Sequence, residues 1–205
     1  MEIEQCGEVL QQARRQGRYD EAEPLLDKAI ERACRLLGEE NWSTLDVMST
    51  LARLYTAQSR YVEAEELYLK TLEAQRQMLG EEHLHTLRSM NGLAQLYTQQ
   101  ARYEKAEPLF TKALEIGRSV LGAAHPQILT SMHSLAILYK EQGRYDEAEP
   151  LLIEATKGRL LKLGDTHPHT SESLNNMIEF YEAWGKPEQA KEWRAKLPQT
   201  GAEVE

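Results

Sequence analysis

Two pairs of histidines come closest to a chemical site by residue type and spacing. His83 and His85 flank one leucine, and His167 and His169 flank one proline. Imidazole is a common metal ligand, but a metal site needs further ligands in a defined geometry. Neither pair has a cysteine or a partnered carboxylate cluster beside it, so we interpret both as loop residues that pack against or cap a helix. We therefore predict no metal and no cofactor.

Adjacent acidic residues are the second candidate for chemistry. Glu39-Glu40 and Glu81-Glu82 could supply a general acid and a general base, but they lie in polar segments with nothing to raise a pKa. The sequence has no Gly-rich phosphate loop, and no Ser–His–Asp or Cys–His grouping stands out. We therefore predict that the chain is not an enzyme.

Composition and charge limit the partners of the chain. Its 205 residues are 41% apolar and 28% charged, which is ordinary for a folded protein. The formal net charge of −9 disfavours nucleic acid and acidic membrane surfaces as partners. No apolar run approaches the roughly 20 residues that cross a bilayer, and residues 1–10 lack the basic start and apolar run of an export signal. We expect a cytoplasmic protein.

One phrase recurs through the chain at a constant spacing. The residues QGRYDEAEPLL occupy 16–26 and, unchanged, 142–152, and variants of the phrase occupy 58–68 and 100–110. Each copy therefore starts 42 residues after the one before it. The same step separates the Leu-Gly pairs that end at Gly38, Gly80, Gly122 and Gly164. A fixed period of roughly 20–50 residues is typical of stacked repeats that bury their apolar faces against one another.

Each repeat contains two helical patterns. In 87–97 the apolar residues recur at the spacing of one helix face, and 103–121 carries a second, longer stripe. We call the first helix of a repeat helix A and the second helix B. The turn between them holds Gly17, Ser59, Ala101, Gly143 or Gly185. Glycine suits a positive φ after a helix, so Ala101 fits this turn less well.

Local signals predict where the helices begin and end. Asp20 with Glu23, and likewise Asp146 with Glu149, have the spacing of a reciprocal cap at the start of helix B. The glycine of each Leu-Gly pair is expected to end helix B. The His-Pro dipeptides at 125–126 and 167–168 are expected to open the next helix A.

These motifs together resemble a known family. The order Leu-Ala-x-Leu-Tyr, Gln-Gly-x-Tyr-x-Glu-Ala-Glu-Pro, Ala-Leu-Glu-Ile and Leu-Gly-x-x-His-Pro is similar to the tetratricopeptide repeat in its long, kinesin-light-chain-like form. The resemblance implies an all-α fold, a right-handed α-solenoid of about five helical hairpins and ten helices. We expect one array over 1–197 and a disordered tail at 198–205. The predicted repeats are 3–42, 43–84, 85–126, 127–168 and 169–197.

The candidate site is the part of helix A that the core does not use. In tetratricopeptide proteins the A helices line a concave wall, so the resemblance implies that a polar stripe on these helices lies in a groove. Such grooves bind an extended peptide or a partner helix, and asparagine amides can pair with a peptide backbone. The predicted peptide-binding residues are Ser49, Arg53, Arg88, Asn91, Gln95, Thr130, His133, Ile137, Asn175, Asn176 and Glu179.

Charges along this stripe indicate a ligand class. Arg53 and Arg88 lie near its middle, and His133 could join them as the pH falls towards its reference value of about 6.5. Glu4, Glu172 and Glu179 lie at its ends. One interpretation is a groove for a protein or peptide ligand with acidic residues. The other is that these are ordinary solvated helix residues.

We predict a non-catalytic scaffold for protein–protein interaction. One alternative is a self-association module, because repeat arrays stack end to end unless their ends are capped. The other is a regulatory or adaptor fragment of a larger signalling protein. We expect a monomer, and self-association remains open.

Overall fold

The computed structural model describes residues 6–197, apart from the side chain of Arg14. Over these residues it contains ten α-helices and no β-strand, which confirms the predicted all-α class. Glu4 and the predicted tail at 198–205 lie outside the described residues. The helices are α1 (Cys6–Gln16), α2 (Tyr19–Leu37), α3 (Trp42–Ala57), α4 (Tyr61–Leu79), α5 (Leu84–Gln99), α6 (Tyr103–Leu121), α7 (Pro126–Glu141), α8 (Tyr145–Leu163), α9 (Pro168–Ala183) and α10 (Pro187–Arg194).

The chain packs into two compact units. Unit 1 is Met1–Ala113 and unit 2 is Leu114–Glu205, so the division falls inside α6. Unit 1 contains α1 to α5, and unit 2 contains α7 to α10. The single array and the repeat boundaries that we expected from the sequence stay predictions.

The helices alternate in length with the period of the sequence. Helices α3, α5, α7 and α9 each have 16 residues, and α2, α4, α6 and α8 each have 19. The first set are A helices and the second set are B helices. The A–B turn has a positive φ at every repeat, including 60° at Ser59 and 55° at Ala101. The turn prediction is therefore confirmed, and two residues with a Cβ adopt a conformation that glycine favours.

Histidine side chains begin three of the A helices. Nδ1 of His83 accepts a hydrogen bond from the backbone N–H of His85 at 3.3 Å, and Nδ1 of His167 accepts one from His169 at 3.2 Å. His125 caps α7 in the same way, ahead of Pro126. The capping interpretation is confirmed for His83 and His167, because each satisfies a backbone donor that the helix itself leaves free, whereas His85 and His169 lie inside α5 and α9.

The predicted reciprocal cap of helix B is wrong. The residues that precede α2 and α8 are Arg18 and Arg144, and neither makes a side-chain cap. The acids lie inside the helix, where Glu23 Oε1 accepts a hydrogen bond from Arg60 Nη1 at 2.7 Å. Glu149 Oε1 accepts one from the hydroxyl of Tyr181, also at 2.7 Å. These carboxylates therefore hold neighbouring repeats together instead of closing the helix end.

Each unit has its own apolar core of small and large side chains. In unit 1 the core joins α1, α2 and α3 through Leu10, Leu26 and Leu54, which are fully buried. Burying a leucine of this kind stabilises a fold by about 1.5–3 kcal/mol. In unit 2 the core joins α7, α8, α9 and α10 through residues such as Leu152 and Phe180. The apolar stripe predicted in 87–97 is buried as well, at Leu87, Met90, Leu93 and Ala94.

Candidate functional site

The polar edges of the A helices are the candidate site, and we call them the A-helix faces of the two units. In unit 1 the face lies on α3 and α5, and in unit 2 it lies on α7 and α9. The repeat spacing brings equivalent positions of neighbouring helices together: Asp46 and Arg88 are 42 residues apart, and their side chains are 3.2 Å apart.

One carboxylate organises the face of unit 1. Asp46 Oδ1 lies 2.9 Å from Nδ1 of His85 and 3.2 Å from Nη1 of Arg88. The ring of Trp42 contacts the ring of His85 at a centroid distance of 5.3 Å. Burial acts to raise the pKa of Asp46, but the His85 hydrogen bond and the charges of Arg88, His85 and Arg53 together lower it below its usual value. Asp46 is therefore held ionised among cations of its own unit.

The other predicted residues of unit 1 differ in accessibility. Ser49 is buried, and its hydroxyl lies 2.8 Å from that of Ser89, so this pair closes the contact between α3 and α5. Asn91 is half-buried; its Nδ2 donates to the Leu87 carbonyl of its own helix at 2.9 Å, while its Oδ1 has no partner among the described residues. Gln95 is exposed, and Arg53 is half-buried.

The face of unit 2 contains a residue that the sequence reasoning missed. Arg159 lies on α8 and is only 8% exposed. Its Nη1 donates to the hydroxyl of Ser173 on α9, and its Nη2 donates to the hydroxyl of Thr130 on α7 at 3.4 Å. No carboxylate of residues 6–197 lies within ion-pair distance of this guanidinium. Arg159 thus joins three helices through hydroxyl groups alone.

His133 lies on the same face, and its charge state differs from our expectation. Burial, together with the nearby charge of Arg159, lowers the pKa of His133 to about 4. The expectation that it gains a proton near pH 6.5 is therefore wrong, because the sequence does not show how deeply the ring is buried. Nδ2 of Asn176 donates to His133 Nε2 at 3.1 Å, which leaves the ring proton on Nδ1, and that buried atom has no partner within residues 6–197.

The remaining predicted residues of unit 2 are more open. Asn175 and Glu179 are exposed, and Ile137 is half-buried. Thr130 is exposed, and its hydroxyl also donates to the Pro126 carbonyl at 3.0 Å. The structure thus brings Thr130, His133 and Asn176 to the surroundings of Arg159, and Asn175 and Glu179 make none of these contacts.

A signal for Arg159 exists in the repeat alignment. Stepping by 42 residues, its position is occupied by Ala33, Gln75, Gly117 and Arg159. The other repeats have a small or neutral residue at this position. A charged residue in one repeat is therefore unusual for a helix surface that packs against other helices. Gln75 occupies the equivalent position in unit 1. It is 0% exposed, and neither its amide oxygen nor its amide nitrogen has a hydrogen-bond partner among residues 6–197.

The described residues form neither a metal site nor a membrane span. No group of three or more His, Cys, Asp and Glu side chains among residues 6–197 is arranged to hold a metal ion. Within the same residues, no helix is both long and apolar enough to span a bilayer.

Comparisons with known proteins agree on the repeat type. The family model described as "Tetratricopeptide repeat" matches residues 11–77, 43–119 and 99–160. A comparison with curated proteins gave no significant match. Among solved structures, BtubC (BKLC) from P. vanneervenii is 24% identical, with a TM-score of 0.77 over 99% of this chain and 84% of that one.

Two further structures are similar. A kinesin-light-chain-like protein of Podosopora anserina with nearly identical TPR-like repeats is 28% identical, with a TM-score of 0.73 over 96% of this chain and 94% of its own. A Rap protein in complex with competence and sporulation factor is 16% identical, with a TM-score of 0.71 over 90% of this chain and 53% of its own. The predicted repeat type is thereby confirmed.

Proposed function

Because the chain belongs to the tetratricopeptide repeat family, we propose that it is a non-catalytic interaction module that binds an extended peptide or a partner helix on its A-helix faces. Repeats of this fold generally bind proteins or peptides. The Rap protein of similar fold carries competence and sporulation factor in its structure, which supports a binding role and does not identify a ligand for this chain.

One observation carries the proposal: the A helices meet along polar side chains whose hydrogen-bonding capacity is only partly used. Among residues 6–197 the buried atoms Asn91 Oδ1 and His133 Nδ1 have no hydrogen-bond partner, and the amides of Gln95 and Asn175 are exposed. Exposed amide groups can pair with the N–H and C=O groups of a peptide whatever its side chains are.

We propose that the ligand contains acidic residues. In unit 1, Arg53 and Arg88 attract a carboxylate, but the ligand must compete there with Asp46, which is already 3.2 Å from Arg88. The proposal includes a cytoplasmic location and a monomeric chain.

A peptide array tests this function. Synthetic fluorescent peptides of equal length, in acidic, neutral and basic sets, are probed with the full chain, and the best binders are titrated in solution. We expect the acidic set to bind, and the double variant Arg53→Glu with Arg88→Glu to bind at least about tenfold more weakly. The matched control is Lys28→Glu with Arg32→Glu, which makes the same charge change at exposed positions of the B helix α2.

Equal loss in both double variants would show that only net charge matters and would remove the proposed face. Circular dichroism of each variant checks that helicity is retained. Sedimentation over a concentration series tests the rival function of self-association: a monomer at all concentrations supports the peptide-binding proposal, and a concentration-dependent oligomer with no array binding favours the rival.

A further inference from the structure

Arg159 is a buried cation without a counter-charge in contact. Its side chain is 8% exposed, and its two contacts in the described part of the chain are hydroxyl oxygens. A guanidinium has more N–H donors than two contacts use, and leaving a buried charge unpaired is costly. A ligand that supplies an anion would offset part of this cost.

The donors around Arg159 are held in place. The hydroxyl of Ser173 donates its own proton to the His169 carbonyl at 2.9 Å, so its oxygen is free to accept from Arg159. The hydroxyl of Thr130 donates to the Pro126 carbonyl and can accept from Nη2. Both contacts fix the plane of the guanidinium before any ligand arrives, and such preorganisation lowers the entropic cost of binding.

The fold itself does not require a cation at this position. The equivalent residues of the other repeats are Ala33, Gln75 and Gly117, and the helices there have the same length as α8. Gly158 lets α8 approach α7 closely, since a Cβ there would lie 2.5 Å from Leu129 Cδ2. The close packing of α8 against α7 therefore depends on residues next to Arg159. The positive charge of Arg159 is not needed for this packing.

We propose that Arg159, with Thr130, His133 and Asn176, forms a subsite for one carboxylate of a bound peptide. This inference rests on the proposed function and deepens it by naming the chemical group and its anchor. Arg159 supplies the fork of N–H donors that matches a planar carboxylate. The Nδ1–H of His133 is a buried donor without a partner on the same face.

The charges of the subsite favour a carboxylate over a phosphate. His133 is neutral at physiological pH, so Arg159 supplies the positive charge alone. Glu172 on α9 lies close enough to act on both residues and opposes a second negative charge. A singly charged, planar anion therefore fits this environment better than a dianion.

NMR of the Arg159 Nε–Hε signal tests the proposal directly on the full chain. The probes are Ac-Ala-Ala-Glu-Ala-Ala-NH2, its Gln counterpart, a penta-alanine peptide with a free C-terminal carboxylate, and a phosphoserine counterpart. We expect the Glu peptide or the free C-terminus to move the signal saturably, and these two arms distinguish a side-chain from a terminal carboxylate. The Gln peptide should bind at least about tenfold more weakly.

Variants extend the test to the array-selected peptides. Arg159→Met should weaken their binding by about tenfold or more, and Arg159→Lys should have an intermediate effect because it keeps the charge and loses the fork. Glu172→Gln should strengthen binding by removing a competing carboxylate. The wild-type NMR titration needs no variant, so misfolding of Arg159→Met cannot obscure the result.

Several outcomes would overturn the subsite. An unmoved Arg159 signal with both carboxylate probes, or a tighter phosphoserine peptide, would do so. Unchanged affinity of Arg159→Met for array-selected peptides would remove the subsite and leave the proposed function standing. If no peptide of the array bound the wild-type chain, the proposed function itself would be wrong, whatever the effect of substituting Arg159.

Discussion

The A-helix faces of the two units differ in how their cations are paired. In unit 1, His85 and Arg88 both contact the carboxylate of Asp46. In unit 2, the position equivalent to Asp46 and Arg88 holds Thr130 and Glu172, and the cation comes from Arg159 on a B helix. In unit 1 the cation Arg88 is paired with the carboxylate of Asp46. In unit 2 the cation Arg159 contacts the hydroxyl groups of Ser173 and Thr130.

The difference shows how a repeat protein can acquire a site without changing its fold. Backbone, helix length and capping are common to the repeats, so a substitution at one position changes the local charge and little else. Gln75 and Arg159 occupy the same place, and one is an unsatisfied amide while the other is a partly satisfied cation. Four predictions would break or sharpen this comparison.

The largest expected effect is on the acid stability of unit 2. The pKa of His133 is about 4 in the folded chain and 6.5 as the reference value, so the unfolded state binds more protons between these values. The contribution of the neutral His133 to the free energy of unfolding is fully present above about pH 6.5. It falls by about 3 kcal/mol as the pH drops to about 4. His133→Asn, which introduces the residue found at Asn91 and Asn175, should lack this loss.

Urea unfolding followed by tryptophan fluorescence measures this effect. A Trp42→Phe background leaves Trp184 and Trp193, both in unit 2, as the reporters. Other acids also lose stability at low pH, so the quantity of interest is the difference between the two proteins. Parallel pH profiles for the wild-type and His133→Asn chains would contradict the prediction.

The second prediction compares the equivalent positions 75 and 159. Gln75→Met should raise the free energy of unfolding by about 1–2 kcal/mol, because it removes two buried amide atoms without partners and keeps the side-chain volume. Arg159→Met should change it by less than about 1 kcal/mol, since the desolvation of the cation offsets its two hydrogen bonds. Urea unfolding gives both values, and a destabilised Gln75→Met chain would refute the account of this position.

The third prediction concerns a variant in which the cation of unit 1, like that of unit 2, has lost its carboxylate contact. Asp46→Asn leaves Arg88 and His85 without their carboxylate and should lower stability by about 1 kcal/mol above the usual pKa of an aspartate. Since the folded pKa of Asp46 is lowered, its contribution is present at neutral pH and is lost as the pH falls below about 4. Thermal unfolding at two pH values measures this effect.

The same variant has a binding consequence. The Glu pentapeptide should move the Arg88 Nε–Hε signal in the Asp46→Asn chain more than in the wild-type chain, because the internal competitor is gone. Glu63→Gln, which removes an exposed carboxylate of α4, serves as the control. Equal responses of Arg88 in both chains would show that Asp46 does not limit access to this face.

The smallest expected effect concerns the A–B turns. Unit 1 has Ser59 and Ala101 at positive φ, where unit 2 has Gly143 and Gly185. Ala101→Gly should raise stability by about 0.5 kcal/mol, and Gly143→Ala should lower it by about 1 kcal/mol. Thermal unfolding of the two variants should shift in opposite directions, and a shift of the same sign would contradict the prediction.

Much of the fold could be predicted because its signals are local. The bounds of α6, Tyr103–Leu121, coincide with the predicted stripe, since a tyrosine after a tight turn and a Leu-Gly pair mark its two ends. The positive φ at Ala101 was expected from its equivalence to glycines. The cap at Asp20 was wrong because the same carboxylate spacing also suits acids that contact the next repeat.

The candidate site was predicted only in part. The A-helix stripe led to Thr130, His133 and Asn176, but Arg159 lies on a helix that the stripe does not include. Whether Arg88 is free for a ligand depends on its distance from Asp46, and that distance depends on how α3 and α5 pack. The ligand contacts of all the predicted groove residues stay predictions.

The sequence by itself determined the repeat, the order of the helices, and the turns between the two helices of a repeat. These features depend on residues within a few positions of one another, so a one-dimensional pattern contains them. Only the tertiary structure determined which charges are neutralised, how far His133 is buried and that Arg159 meets hydroxyl groups from two other helices. Those properties depend on distances between residues far apart in the chain, and electrostatic energy varies steeply with distance and burial.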